Sequence, residues 1–255
     1  MSDSREREPV GGVREYASLE AYLRVPRAER RALVDRSLAV HIAGALAPDR
    51  AAAWARRALE ARADYTYAFG TQASLGNAWY THLEEGLARR YFETAAASDA
   101  RVRRHIPGFQ RALMTLAGAL LGVTPSPRRG YAGPGVHVFE PGGECAREGG
   151  EVHSDTEGLP TPYALAGLPA YTLVVALSRV ASGGGLRLWD APYGGHDDPS
   201  LAELAEPDRV GYAPGDAVFF ESYRLHQIEP FGGDAPRVTG TCHLARFAGR
   251  WEAWF

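Results

Sequence analysis

The sequence contains no lysine, so all 28 of its basic residues are arginine. Alanine, glycine and proline are abundant, and this combination is typical of a GC-rich genome. Clusters of arginine therefore carry less functional information than usual, and we interpret the cluster at residues 27–36 as a solvated helix face. The formal net charge of −3 gives no electrostatic support for a nucleic-acid partner.

Cysteine is scarce as well, with Cys145 and Cys242 as the two examples. Two cysteines are too few for a disulfide-stabilised scaffold. They favour free thiols in a reducing compartment, although they leave room for one disulfide. The sequence has no run of about 18 apolar residues that could form a transmembrane helix. Residues 1–9 are charged and contain no apolar signal region. We therefore expect a cytoplasmic protein with no membrane partner.

The first half of the sequence shows mainly helical patterns. Residues 1–15 are predicted to be disordered, and residues 16–130 to form a mainly helical region. Apolar residues in this region recur at the spacing of amphipathic helices. The predicted helices are 17–24, 28–46, 51–62, 79–92 and 108–121.

Beyond a segment rich in proline and glycine at 122–135, short apolar segments alternate with turns. The predicted strands are 135–140, 151–155, 171–178, 185–189, 216–220, 224–229 and 236–246. Many short strands with turn punctuation favour an α+β fold, in which residues 131–255 form a jelly roll, also called a double-stranded β-helix, with a cupin-like core. The N-terminal helices are expected to pack on one sheet, as part of the same structural unit.

Two histidines and one carboxylate occur with the spacing of a metal site. His153 and Asp155 are two residues apart, so on an extended strand both side chains point to the same side. His226 lies far along the chain and reaches the pair only by folding. Such a set is the facial triad that holds non-haem Fe(II) and leaves the opposite positions open for substrate and O2.

Two other assignments of the ligands stay open at this point. His196 and Asp198 form a second H-x-D pair, although it lies in a glycine-containing turn, where ligand placement is less rigid. His243 is an alternative distal ligand, but no arginine follows it at the spacing that separates His226 from Arg237.

Arg237 and Thr239 begin an alternating polar face on the last long predicted strand. The planar guanidinium of an arginine can bind a carboxylate through two hydrogen bonds, and a hydroxyl can share that carboxylate. The alternative is a surface arginine in an ion pair. Thr241 and His243 continue the same face by the two-residue period. A polar face in the interior needs a polar ligand, so we predict that Thr241 and His243 contact a substrate.

Five further residues are weaker candidates for substrate contacts: His137, Glu140, Thr156, Glu157 and Trp251. His137 or Glu140 could recognise an amine or a hydroxyl group, and Thr156 and Glu157 come directly after the H-x-D pair. Trp251 could cover the pocket. The alternative for each is an ordinary place at the surface or in the core.

The pattern of H-x-D, a distal histidine, ten residues and then R-x-T resembles the Fe(II)/2-oxoglutarate-dependent dioxygenases, over about residues 131–246. The turn at 214–216 and the apolar strand that follows it are also similar to this family. The resemblance implies O2 as co-substrate, three iron ligands and two contacts to the distal carboxylate of the cofactor. These are His153, Asp155 and His226 for Fe(II), and Arg237 and Thr239 for 2-oxoglutarate.

The resemblance also implies the reaction. Oxidative decarboxylation of 2-oxoglutarate to succinate would be coupled to hydroxylation of a substrate. Related radical halogenases lack the carboxylate, and chloride takes its place, so Asp155 favours hydroxylation; desaturation and cyclisation are alternatives on the same scaffold. The segment 75–80 in the helical half is similar to bacterial oxygenases of free amino acids. We therefore expect a small, polar, amino-acid-like substrate from secondary metabolism.

Other classes of protein fit parts of the pattern. A cupin-like metalloenzyme would bind the metal without using 2-oxoglutarate, and replacing Arg237 would then leave turnover nearly intact. A binding protein that kept the fold without catalysis would hold little iron. Either class could form a homodimer, as could a dioxygenase.

Overall fold

The computed structural model describes residues 10–68, 72–84 and 86–255. The helices are α1 (Leu19–Leu23), α2 (Arg30–Asp35), α3 (Pro48–Glu60), α4 (Trp79–Glu84), α5 (Ala88–His105), α6 (Phe109–Leu121), α7 (Glu144–Glu148) and α8 (Thr161–Leu165). Short 3-10 helices lie at Arg62–Asp64 and Pro199–Glu203.

The strands alternate with these helices in the first half and dominate the second. They are β1 (Arg14–Tyr16), β2 (Val40–Ile42), β3 (Thr66–Ala68), β4 (Gln72–Leu75), β5 (Ser126–Pro127), β6 (Gly135–Phe139), β7 (Ala170–Ala176), β8 (Ser182–Gly183), β9 (Leu186–Trp189), β10 (Asp208–Val210), β11 (Ala217–Glu221), β12 (Leu225–Ile228), β13 (Phe231–Gly232), β14 (Arg237–Phe247) and β15 (Arg250–Trp254).

Most strands join one large sheet in the order β1-β2-β11-β7-β14-β6-β4-β3, and β15 pairs with β14 and β5. A smaller antiparallel sheet, β10-β9-β12, and the short ladder β13-β8 accompany it. Leu188 and Val210 of the smaller sheet pack with Val218 and Phe220 of β11. The two sheets therefore face each other, as the layers of a jelly roll do.

The register of the central strands gives the large sheet two distinct faces. Thr239 and His243 of β14 pair with Ala176 and Thr172 of β7, and these side chains point toward the smaller sheet. The intervening residues belong to the core that the helices cover. A Cβ atom added at Gly240 would lie 2.8 Å from the ring of Phe109, so glycine lets α6 approach the sheet closely.

Several predictions made from the sequence agree with this architecture. All the predicted strands after 122–135 form, except the one at 151–155. Helix α6 lies within one residue of its predicted bounds, between Gly108 and Gly122, which both have positive φ. Ser18 caps α1 by accepting a hydrogen bond from the Ala21 amide. Cys145 and Cys242 are free thiols, as expected. No helix among the described residues is long and apolar enough to span a membrane.

The predicted helix at 28–46 is wrong beyond Asp35. Helix α2 ends there, and Val40–Ile42 form β2 between β1 and β11. Val40 and Ile42 are β-branched and fully buried, which suits a strand covered on both sides. A short apolar run of this kind has no period that separates strand from helix.

The strand predicted at 151–155 and the disorder predicted for 1–15 also need correction. Only His153 pairs, in an isolated antiparallel bridge with His226. Residues 1–9 lie outside the described residues, whereas Arg14 and Glu15 pair with Val40 and His41 in β1.

The helical half contributes strands at both ends of the large sheet. Strands β1 and β2 extend one end, and β3 and β4 extend the other. The predicted helix at 79–92 is two helices, α4 and α5, of which the second continues to His105. Because both halves share one sheet, we propose that regions 16–130 and 131–255 form a single structural unit.

Candidate active site

The side chains of His153, Asp155 and His226 converge between the two sheets. One ligand atom from each lies within 4.8 Å of the other two. The Nε2 atom of His153 is 3.6 Å from Asp155 Oδ1, and that of His226 is 3.5 Å from Asp155 Oδ2. The backbone brings the histidines together, because the His153 amide donates to the His226 carbonyl at 3.0 Å and the His226 amide donates back at 2.8 Å.

Both histidines are oriented by hydrogen bonds on the ring edge that faces away from Asp155. His153 Nδ1 lies 2.9 Å from the Glu151 carbonyl oxygen, and His226 Nδ1 lies 2.9 Å from that of Arg224. A carbonyl only accepts, so each Nδ1 carries a proton, and Nε2 is the nitrogen that faces Asp155 and would bind a metal in place of a proton. This donor set fits a divalent transition metal such as Fe(II).

The three side chains also influence one another electrostatically. Burial alone would lower the pKa of His153, but the hydrogen bond and charge of Asp155 raise it to about 9. Burial would raise the pKa of Asp155, but the charge of His226 and the hydrogen bond from His153 bring it below its usual range. Burial lowers the pKa of His226 to about 4. A carboxylate that attracts a proton onto a neighbouring imidazole would attract a metal cation in the same way.

The alternative ligands do not join this cluster. His196 is exposed, and Asp198 accepts a hydrogen bond from the Ser200 amide at the start of a 3-10 helix. His243 is not among the clustered ligand atoms either, within the part of the chain that the structure describes. The choice of His153, Asp155 and His226 over these alternatives is therefore supported by geometry.

Arg237 is 3% exposed and forms no ion pair with a carboxylate among the described residues. Its Nε donates to the Gly184 carbonyl at 2.8 Å, and its Nη2 donates to the Tyr212 hydroxyl. The Nη1 atom is buried and has no hydrogen-bond partner. A buried cation with an unused donor is costly unless an anion completes its environment, so the site fits a carboxylate.

Thr239 lies next to Arg237 on the same strand face and is 3% exposed. Both residues line a cavity of about 470 Å³, together with Ser178 and Tyr212. This volume is large enough for a small dicarboxylate. The surface alternative for Arg237 is excluded by its burial.

His243 is held by a chain of buried hydrogen bonds that begins beside Asp155. The Asp155 amide donates to the Ser222 carbonyl at 2.8 Å. The Ser222 hydroxyl lies 3.0 Å from that of Thr172, which lies 3.2 Å from His243 Nδ1. This chain fixes the imidazole of His243 relative to the candidate metal ligand Asp155. Thr241, two residues earlier on the same face, is also buried.

His137 faces the same interior. Its Nδ1 is 3.5 Å from the Tyr80 hydroxyl, and its ring lies 4.7 Å from that of Phe255. Burial, followed by the charges of His243 and Arg237, lowers the pKa of His137 to about 3. His137 is therefore a neutral group on the interior face, where it pairs with Thr239 of the candidate carboxylate site.

The two residues that follow the H-x-D pair lie at its edge. Burial and the nearby charge of Asp155 raise the pKa of Glu157 to about 7. The Thr156 hydroxyl lies 3.3 Å from that of Tyr193. That these two residues line the mouth of the site stays a prediction.

Glu140 and Trp251 lie outside the site, and their predicted substrate contacts are not supported. Glu140 directly follows β6, and its side chain points to the side opposite to that of His137. There it forms an ion pair with Arg62 at the surface. Trp251 packs on the helix-covered core beside Tyr171. The other C-terminal tryptophan, Trp254, is the one that faces inward, with its ring 5.8 Å from that of His243.

Reasoning from the sequence missed Tyr80, Tyr212, Thr172 and Ser222. Tyr80 ends the segment 75–80, whose resemblance gave no role to this residue, and the other three come from segments without a motif. The hydrogen bonds that place the four residues join positions 25 to 71 apart. Only Thr172 gave a usable signal, since a polar residue within the apolar run of β7 needs a partner when it is buried.

No protein-family model and no curated protein sequence matches the chain, but solved structures share its fold. An N-substituted L-amino acid dioxygenase from Burkholderia ambifaria AMMD is 16% identical, with a TM-score of 0.56 over 93% of this chain and 92% of that one. A 2OG-Fe(II) oxygenase family oxidoreductase from Burkholderia pseudomallei is 13% identical, with a TM-score of 0.51 over 93% and 96%. A prolyl hydroxylase from Trichoplax adhaerens is 12% identical, with a TM-score of 0.53 over 88% and 90%. The predicted jelly-roll fold, and the resemblance at the level of the fold, are thereby confirmed.

Proposed function

We propose that the protein is a non-haem iron oxygenase that couples oxidative decarboxylation of 2-oxoglutarate to hydroxylation of a small, polar, amino-acid-like substrate. The main support for this proposal is that two groups of side chains in the protein interior each lack a binding partner. The cluster of His153, Asp155 and His226 fits a divalent metal, and the buried, unpaired Nη1 of Arg237 fits a carboxylate. A cofactor with a metal-chelating end and a distal carboxylate would satisfy both.

His137 lies beside the candidate carboxylate site. It pairs with Thr239 across β6 and β14, and Thr239 lies two residues from Arg237 on the same face of β14. Burial, followed by the charges of His243 and Arg237, lowers the pKa of His137, while Asp155 opposes the shift. His137 therefore offers a neutral imidazole on the same interior face as Arg237.

Bound Fe(II) and 2-oxoglutarate would supply the activation of O2 and two of the electrons that its reduction needs. The chain supplies binding, orientation and exclusion of water. The Nε2 atoms of His153 and His226 and the Asp155 carboxylate would hold the metal. Arg237 would offset the charge of the distal carboxylate, and the rings of Phe139 and Tyr212, 5.3 and 5.7 Å from its guanidinium carbon, would shield that ion pair from water.

His243, Thr241 and His137 are the proposed substrate contacts. They share the interior face with Arg237, and the buried chain through Thr172 orients His243. The similarity in fold to an amino acid dioxygenase and the neutral polar lining favour a small polar substrate. The presence of Asp155, where a halide would otherwise bind, favours hydroxylation.

The proposed function is tested by succinate formation. The Fe(II)-loaded full chain is incubated with 2-oxoglutarate, O2 and a panel of free and N-substituted amino acids. We expect succinate in every complete reaction and a higher rate with the true substrate class, matched by a product 16 mass units heavier than the substrate. Iron-loaded protein that forms no succinate under any condition contradicts the proposal.

Replacing Thr172 with valine tests the placement of His243. Valine keeps the shape of threonine and removes the hydroxyl next to His243 Nδ1, at a cost of about 1–3 kcal/mol for a buried unpaired group. We expect kcat/KM for the substrate to fall about 10-fold, while the KM for 2-oxoglutarate is unchanged. Thr115→Val, at an exposed position of α6, is the matched control. Equal kinetics for the two variants contradict a role for Thr172 in the substrate site.

A further inference from the structure

The second H-x-D motif lies in a loop that contacts the first. Residues 190–198 connect β9 to the 3-10 helix at Pro199–Glu203. Asp197 Oδ1 accepts a hydrogen bond from the Ser154 amide at 2.9 Å, and it accepts another from the Ser154 hydroxyl. Ser154 lies between His153 and Asp155 and is 1% exposed.

The backbone amides of His153, Ser154 and Asp155, the ligand segment, form hydrogen bonds on two opposite sides of the chain. The His153 amide donates to the His226 carbonyl, and the Asp155 amide donates to the Ser222 carbonyl at 2.8 Å. Both of these acceptors belong to the segment that carries His226. In extended backbone the middle amide points the other way, and there the acceptor is Asp197. Without it, the buried Ser154 amide and hydroxyl have no other acceptor among the described residues.

The same loop is anchored at further points beside the ligands. Trp189, the last residue of β9, and Ala191 of the loop pack with Val152 and Leu225, the residues directly before His153 and His226. The hydroxyl of Tyr193 lies 3.3 Å from that of Thr156. Contacts with the ligand segment therefore lie on both sides of Ser154, and the Asp197 carboxylate accepts the hydrogen bonds of Ser154 itself.

We propose that Asp197 is a positioning residue for the candidate metal centre, because it fixes the backbone between His153 and Asp155 in the conformation in which both side chains reach one metal ion. The inference rests on the proposed function, since it assigns a role toward the metal of that site. The charge of the carboxylate strengthens both hydrogen bonds from Ser154. Asp197, the middle residue of the second H-x-D motif, thus supports the backbone of the first.

The neighbouring residue provides a matched comparison. Asp198 lies in the same loop and is one position from Asp197, but its carboxylate caps the 3-10 helix through Ser200. Asp198→Ala removes a carboxylate from the loop without touching Ser154. Asp197→Asn keeps an acceptor oxygen and removes the charge, so it should retain part of the function.

The experiment is a titration of the metal-free full chain with Co(II), a spectroscopic probe of the site, followed by its visible absorption. We expect Asp197→Ala to weaken Co(II) binding about 10- to 100-fold, as loss of an outer partner of a metal ligand does, and to change the shape of the Co(II) spectrum. Asp198→Ala should bind as the parent does, and Asp197→Asn should lie between. The thermal midpoints of the metal-free Asp197→Ala and Asp198→Ala proteins give the purely structural effect.

The outcomes separate the two proposals. Tight Co(II) binding by the parent and equal binding by Asp197→Ala overturn the role of Asp197 and leave the proposed function standing. A parent chain that binds neither Co(II) nor Fe(II) overturns the proposed function, and the role of Asp197 with it. If Asp197→Ala does not fold, Asp197→Asn and Ser154→Ala replace it. Parent-like affinity and spectra in both of them then overturn the inference.

Discussion

Asp155→Ala should lose Fe(II) binding and, with it, all 2-oxoglutarate turnover. Asp155 is the one anion of the cluster, and it lies between the two Nε2 atoms at 3.5–3.6 Å. Removing an outer partner of a metal ligand costs about 10- to 100-fold in affinity, so removal of a ligand itself should cost at least 100-fold. Iron content after anaerobic loading and desalting, and succinate formation, measure the two effects.

The matched control is Asp234→Ala, which removes a carboxylate from an exposed position. It should load iron and form succinate as the parent does. Circular dichroism of both metal-free variants checks that the fold is retained. Stoichiometric iron in Asp155→Ala, loaded in chloride-free buffer, would contradict the assignment of Asp155 as a metal ligand.

Arg237→Ala should raise the 2-oxoglutarate requirement by about 30-fold or more, since truncating one partner of a buried charge pair costs about 2–5 kcal/mol. Iron binding should be unchanged, because Arg237 is not part of the metal cluster. Arg237→Lys keeps the charge but loses the planar fork and its bonds to Gly184 and Tyr212, so it should lie between the parent and the alanine variant. The measurement is the KM for 2-oxoglutarate at saturating Fe(II).

Arg89→Ala is the control for this series, because the Arg89 side chain is 92% exposed and pairs with Glu93 on the surface of α5. It should leave the KM unchanged. An unchanged KM in Arg237→Ala, with iron bound, would favour a cupin-like metalloenzyme that works without 2-oxoglutarate.

The parts of the site that could be predicted from the sequence are those encoded by local spacing. The two-residue period of a strand places Arg237, Thr239, Thr241 and His243 on one face, and the register of β14 confirms it. The H-x-D spacing also identified His153 and Asp155, which lie beside the distal His226 in the structure. The three side chains meet although the predicted strand around His153 is only an isolated bridge to His226. A single pair of backbone hydrogen bonds was enough to align the ligands.

The parts that could not be predicted depend on contacts between distant segments. Asp197 lies within the second H-x-D motif and Tyr212 lies in a segment without a motif, and neither local pattern shows that the residue contacts the site. The packing of the two sheets brings both residues there. Trp251 and Trp254 lie on opposite faces of β15, and the pairing of Trp254 with His243 determines which of them faces the site. The sequence does not contain this pairing, and it favoured Trp251. The spacing of Val40 and Ile42 fits a helix. Their place in a strand depends on the two strands that flank them, which local spacing does not show.

The most direct test of the account is anaerobic addition of Fe(II) and then 2-oxoglutarate to the purified full chain, with the visible absorption recorded. The account predicts the weak band of an Fe(II)–2-oxoglutarate chelate, present in the parent, absent in Asp155→Ala and weakened in Arg237→Ala at the same cofactor concentration. Bound iron without the band would contradict the use of 2-oxoglutarate. The absence of bound iron in the parent would contradict the metal site itself.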